Sequence, residues 1–187
     1  MKLAYSGIGS RETPADVCDL MRGIASTLSQ RDWTLRSGHA DGADIAFEEG
    51  AISVNGTKEI YIPWEGFNKG RHGRNDIYNV HVLKNHLQAI DMAAQTHPNW
   101  GACRNGAQML HTRNVYQILG MDLDTPVSMV ICWTKDGNAT GGTGQAIRLA
   151  KRLSIPVFNL FQDETLDKLQ DFVYKTEFFV YKTELLE

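Results

Sequence analysis

The chain has 187 residues, a length at which one domain with its own buried core is the default. A net charge of −3 argues against general nucleic-acid electrostatics, so nucleic acid is disfavoured as a partner. No apolar run approaches membrane-span length and the N-terminus lacks a signal-peptide pattern, so no membrane partner is expected and the expected compartment is the cytoplasm.

Leu3 to Ser6 reads as a short strand. Gly7-Ile8-Gly9-Ser10-Arg11 follows as a tight turn, and Thr13 as N-cap with Pro14 at the first helical position opens a helix. Val17, Leu20, Met21, Ile24 and Leu28 then recur at helical spacing. The turn is read either as a phosphate-binding loop with Ser10 and Arg11 as side-chain donors or as a plain strand-to-helix turn. Trp33 to Arg36 is the next strand, and Ser37-Gly38-His39-Ala40-Asp41-Gly42-Ala43-Asp44 leads into a helix to about Ile52. Ser37, Asp41 and Asp44 are suited to hydrogen-bond ribose hydroxyls or a base edge; Asp41 alone would also serve as an N-cap. His39 is placed equally well as a solvated loop residue or a ligand contact.

Glu59 to Ile62 is a third strand, ending at Pro63-Trp64. The pattern then breaks. Residues 65–79 are polar, with Lys69, Arg71, His72 and Arg74 among glycines and asparagines, and read as a basic lid or a solvated insertion. Val80 to Ala94 and Ala102 to Leu119 read as helices, the second carrying Arg113-Asn114 over a ligand crevice.

Val127 to Trp133 is a continuous apolar run, the mark of a strand buried on both faces. A glycine-rich loop, Thr134 to Gly144, precedes a helix with Ala146, Ile147, Leu149, Ala150 and Leu153 on its apolar face, and Ile155 to Leu160 is another strand. Gly141, Gly142, Thr143 and Gly144 place backbone amides at a helix N-terminus, where the helix dipole favours an anion. Asp163 to Tyr174 reads as a closing helix, and the tail repeats Val173-Tyr174-Lys175-Thr176-Glu177 as Val180-Tyr181-Lys182-Thr183-Glu184. The division expected is a domain over residues 1–162, with the 65–79 insertion, and a helix or tail over 163–187. Cys18, Cys103 and Cys132 lack metal-site spacing and the six histidines include no HxxxH pair, so neither a metal nor a cofactor is expected.

GIGSRETP from Gly7, SGHADGADIAFEEGA from Ser37, LHTRN ending at Asn114, and VICWTKDG with GGTGQAIRLAKRLSIPVFNL after it resemble, in this order, the SLOG superfamily. That group holds the DNA-processing protein A family, YspA-like proteins and the LOG phosphoribohydrolases, and the chain is similar to its small phage or bacterial members. The cytoplasm would then be the host's if the chain is phage-encoded. The resemblance implies an α/β, Rossmann-like, mostly parallel five-stranded sheet with helices on both faces, strand order 3-2-1-4-5, and a nucleotide-derived ligand at the switch point. It also implies a homo-oligomer, for which the helix Ala102–Leu119 and the tail are candidate surfaces. The ligand residues expected on this reading are Gly7, Gly9, Ser10, Arg11, Ser37, Gly38, Asp41, Asp44, Trp64, Arg113, Asn114, Gly141, Gly142, Thr143 and Gly144; Trp64 or Trp133 is suited to stack on a base, or to pack in the core, the reading that fits Trp133 better.

One departure bears on activity. LOG-type hydrolases have PGGxGTxxE, whereas alignment on Gly141, Gly142 and Gly144 puts Arg148 at the catalytic glutamate. Three functions follow: a sensor or sequestering protein for a nucleotide-derived signal; a hydrolase of a nucleotide-like compound with a relocated carboxylate, for which Asp41, Asp44, Asp136 and Glu12 are the candidates; and a single-stranded-DNA-binding protein.

Overall fold

Alternate residues of a strand point to opposite faces of a sheet, and the strands here send both sets into packed cores. In the computed structural model, which describes residues 3–73 and 75–184 with side chains through residue 177, β1 (Ala4–Gly9) turns Tyr5 toward one cluster and Ala4 and Ile8 toward the other. The strand β5 (Met129–Trp133) divides in the same way, Met129, Ile131 and Trp133 against Val130 and Cys132. Burial on both faces is why β5 is a continuous apolar run.

Around them stand β2 (Thr34–Ser37), β3 (Lys58–Ile62), β4 (Ile77–Asn79) and β6 (Val157–Asn159), in the order β4-β3-β2-β1-β5-β6, every neighbouring pair parallel. Without the edge strand β4, this is the expected 3-2-1-4-5 order. The first face is covered by α1 (Ala15–Gln30), α2 (Ala43–Ser53) and α6 (Thr165–Glu184), through Met21, Ala25, Phe47, Leu169 and Val173. The second is covered by α3 (His86–Thr96), α4 (Asn105–Leu119) and α5 (Gly141–Arg152), through Ala89, Tyr116, Ile118, Ile147 and Leu149. The fold is therefore α/β and Rossmann-like. Among the described residues, no helix is long and apolar enough to cross a membrane.

The differences from expectation lie in short or polar segments. The sheet has six strands, not five, because Ile77–Asn79 adds to the edge of β3. The 65–79 segment is thereby tied down: Phe67 is buried in the first core and the His72 ring accepts from the Asn79 amide. Arg74 lies outside the described residues. Val80 to Ala94 is not one helix; a 3-10 turn at Val80–Val82 gives way to extended backbone at Leu83 before α3 begins at His86. Likewise Ala102 ends a separate 3-10 turn, and α4 starts at Asn105. Thr13 does not cap α1: its hydroxyl donates to the Ser10 carbonyl, and the helix starts after Pro14. The apolar surplus of α4 is used within the chain, since every residue from His111 to Leu119 is buried. At the other end, α6 runs unbroken through both copies of the repeat to Glu184, and Glu177 accepts from the Arg31 guanidinium and the Trp33 indole.

Candidate functional site

Strand order reverses at β1, whose neighbours β2 and β5 continue to opposite sides, so the crevice of this sheet opens at the carboxyl ends of β1 and β5. Three glycine-bearing loops converge there. The loops after β1 and β2 are bound to one another by Asp44. One carboxylate oxygen accepts from the Gly9 amide at 3.2 Å; the other accepts from the Ala40 amide at 3.4 Å and from Arg113 Nη1 at 2.9 Å. Asp44 and Arg113 are both buried. Burial pushes the Asp44 carboxyl above the ordinary range, opposed by the Arg113 guanidinium and the two amides. Several other donors nearby are engaged as well, although the buried Arg113 Nε has no partner among the described residues. Ser10 N–H donates to the Trp133 carbonyl, Glu12 N–H to Ser10 Oγ, and Ser37 Oγ to the Gly7 carbonyl. In the orientation that satisfies both ends of its amide, Gln117 accepts from Gly38 N–H and Arg113 Nη1 and donates to Asn114.

Glycine is required in these two loops by close approach. A Cβ on Gly38 would stand 1.1 Å from Arg113 Nη1, and one on Gly9 would stand 2.5 Å from the Ala43 Cβ. Gly42, with φ of 79°, carries the turn into α2 and would otherwise meet the Ser10 carbonyl.

The loop after β5 differs. Asn114 Nδ2 donates to the Gly142 carbonyl at 3.0 Å and holds the loop from α4. Gly144 packs on the Ala139 carbonyl, but a Cβ on Gly141 or Gly142 would meet nothing within 4 Å. Among the described residues, no group accepts from the amides of Gly141, Gly142 or Thr143. These three residues, with Gly9, Ser10, Arg11, Asp44, Arg113 and Asn114, line a cavity of about 430 Å³. Gln117, Thr134, Lys135 and Leu110 also line it, and none of them was singled out by sequence. Gly7, Ser37, Gly38 and Gly144 sit behind the wall as packing elements. Asp41 lies apart, exposed and accepting from Asn68 Nδ2. Trp64 does not line this cavity: it packs edge-on to Phe67 at 5.2 Å, against the first core. His39 is bonded to Glu48 at 2.7 Å and does not line the cavity.

Positive charge comes from two arginines, Arg113 and Arg11, each 5.9 Å from the centre of the Phe67 ring, and from Lys135, whose exposed ammonium is 3.6 Å from Glu12. Of the candidate carboxylates, Asp136 accepts from Asn138 N–H and Thr140 Oγ1 in its own turn, which holds its carboxyl below the usual range. Asp44 lines the cavity with both oxygens engaged; Glu12 stands exposed on the rim. Arg148, which the motif resemblance sets against the hydrolase glutamate, donates to the carbonyls of Thr96 and Ala139. A glutamate there would face acceptors with an acceptor, so this side chain clamps α5 to the end of α3.

A second cavity, of about 540 Å³, shares Leu110, Thr140, Gly141 and Gly142 with the first, and His97, His111 and Arg148 are among its other lining residues. Beside it His97, Cys103 and His111 bring ligand-capable atoms within 4.8 Å of one another. Burial, with the neighbouring His97, Arg148 and Arg113, pushes the His111 imidazole down to about 4.

No family model matches the chain, and no curated protein matches it. Among solved structures the chain is similar to DNA processing protein A from Helicobacter pylori, described for its unique single-stranded DNA binding mode: 16% identity, 91% of this chain and 72% of that chain covered, TM-score 0.54. The likeness shows a fold like that of DNA processing protein A. It also corrects the expectation that nucleic acid is disfavoured as a partner. Net charge sums the whole surface, whereas a phosphate is recognised by a few local cations and amides, and a protein with this fold is described as binding single-stranded DNA.

Proposed function

We propose that this chain binds single-stranded DNA, with a backbone phosphate seated on the N-terminus of α5. The observation that carries the reading is the fold likeness to DNA processing protein A over 91% of the chain. The cleft supports it. Unengaged amides at Gly141–Thr143 face the same cavity as Arg11 and Lys135. The exposed Lys135–Glu12 pair is worth little to stability, so Lys135 can turn to a phosphate at small cost. The motif resemblance to the SLOG superfamily belongs with this proposal.

Fluorescence anisotropy with a labelled oligothymidylate tests it. Binding is expected with a dissociation constant of about 10⁻⁴–10⁻⁶ M, weakening with salt by a logarithmic slope of about −0.7 per phosphate neutralised. Gly142→Asp puts a carboxylate at the phosphate position and is expected to weaken binding tenfold or more, roughly 1.4 kcal/mol. Lys151→Asp, exposed at the far end of α5, leaves it unchanged. Absence of binding at low salt, or equal binding by both variants and the parent, contradicts the proposal.

A second reading rests on the cavity, whose roughly 430 Å³ falls in the range of small-molecule sites. It makes the occupant a free nucleotide-derived compound, and is favoured if a mononucleotide displaces the oligomer at a concentration below the oligomer's own dissociation constant.

A further inference from the structure

His97 follows the C-terminus of α3, Cys103 precedes α4, and His111 stands on α4 itself. The fold brings the three together across the connection between those helices. We propose that they form a transition-metal site of the Zn²⁺ class, with three protein ligands and a fourth position toward the cavity that borders the α5 N-terminus.

The spacing suits a metal: Asn99 N–H donates to His97 Nδ1 at 3.2 Å, which leaves Nε2 of that ring as the ligand atom, and the Cys103 thiol, now donating to the Asn99 carbonyl at 3.6 Å, would bind as thiolate. Zn–S of about 2.3 Å and Zn–N of about 2.0–2.1 Å at a tetrahedral angle place sulfur and nitrogen about 3.5 Å apart. Cys103 Sγ lies 3.6 Å from both ring nitrogens of His97. The rings of His97 and His111 are 4.5 Å apart between centres. A second observation points to a ligand independently: His111 is buried, 7% exposed, and its Nδ1 has no hydrogen-bond partner. A buried polar atom without a partner is costly, and coordination through Nδ1 would supply the missing contact. Two imidazoles and a thiolate select a borderline or soft cation over Mg²⁺ or Ca²⁺. The thiolate also brings a negative charge to a place bordered by the Arg148 guanidinium. Three ligands leave the fourth position to water or an anionic oxygen, the arrangement of an open site rather than a closed structural one. Because His97 and His111 share their cavity with Gly141 and Gly142, that position is beside the α5 amides.

The ligand set does not rest on the reading of the first cavity, and its test uses the metal alone. The full chain is stripped with chelator, and Zn²⁺ is titrated in competition with a chromophoric chelator. Co²⁺ is then added to a second sample and its absorption recorded. The expected result is one metal per chain, with a thiolate-to-cobalt charge-transfer band in the near ultraviolet and the intense visible bands of four-coordinate Co²⁺. Changes to outer-shell partners already cost metal sites about 10–100-fold in affinity. Replacing a ligand, in Cys103→Ser or His111→Ala, is therefore expected to weaken Zn²⁺ binding by about a hundredfold or more, and Cys103→Ser abolishes the charge-transfer band. Cys103 is half-exposed, so its serine variant keeps the fold, which circular dichroism of the metal-free protein checks; His97→Gln replaces His111→Ala if the buried change unfolds the chain. His81→Gln, in the separate exposed histidine pair with His86, leaves binding unchanged. No stoichiometric binding, no sulfur-to-cobalt band, or parental affinity in Cys103→Ser overturns the proposal.

Discussion

The loop after β1 and the loop after β5 are both glycine-bearing turns into a helix at the carboxyl edge of one sheet, and they use their backbones in opposite ways. In the first, the amides of Gly9, Ser10 and Glu12 are all engaged inside the protein, and Gly9 is small so that α2 can approach. In the second, Gly141 and Gly142 touch nothing at their missing side chains, and three successive amides have no acceptor among the described residues. Glycine spacing alone does not separate a loop that packs from a loop that presents. The acceptor does: Asp44 occupies, from within, the place an anion would take at the first loop.

Removing that internal anion is the severest way to break the comparison. Asp44→Ala leaves the buried Arg113 without its carboxylate and the Gly9 and Ala40 amides without their acceptor at the cavity wall. Breaking a buried pair in this way costs about 3–5 kcal/mol, read as a lower urea midpoint at unchanged slope. Glycine substitutions come next, with opposite outcomes for the two kinds of loop. Gly38→Ala drives a Cβ into the Arg113 guanidinium and is expected to lose about 1–3 kcal/mol. Gly142→Ala enters open space in a helix and is expected to be neutral or to gain up to about 1 kcal/mol in the same urea melts.

How far the sequence reached follows the same division. Long apolar runs such as Val127–Trp133 announce a doubly buried strand, and the strand order was what the family resemblance implied. Ile77–Asn79 was missed because three residues in a polar stretch carry too little periodicity to be read, and β4 exists through its pairing with β3. That Gly9, Arg11, Arg113 and Gly141–Thr143 would line one crevice was legible because loops at strand ends converge in this fold. What was not legible was the internal use of Asp44 and Ser37, which depends on partners far along the chain. Trp64 reads as a stacking ring, yet only the fold shows Phe67 against it. His97, Cys103 and His111 have no motif spacing because a turn, not a repeat, brings them together.

The smallest expected effect sharpens the comparison within the first group of loops, where His39 is tied to α2 through Glu48. The Glu48 carboxylate raises the His39 imidazole above its ordinary 6.5, more than burial lowers it. The imidazolium pair therefore adds stability that is fully present below pH 6.5 and is lost as pH rises through the raised value. His39→Gln should flatten the fall in stability over that window, measured by denaturant melts at a series of pH values.

The most direct measurement of the central claim is an amide-resolved NMR titration of the protein with oligothymidylate. The account predicts that the amide signals of Gly141, Gly142 and Thr143 move with added oligonucleotide and saturate together, while those of Gly9 and Ala40, held by Asp44, stay in place. Movement of Gly9 and Ala40 with Gly141–Thr143 unmoved would contradict it.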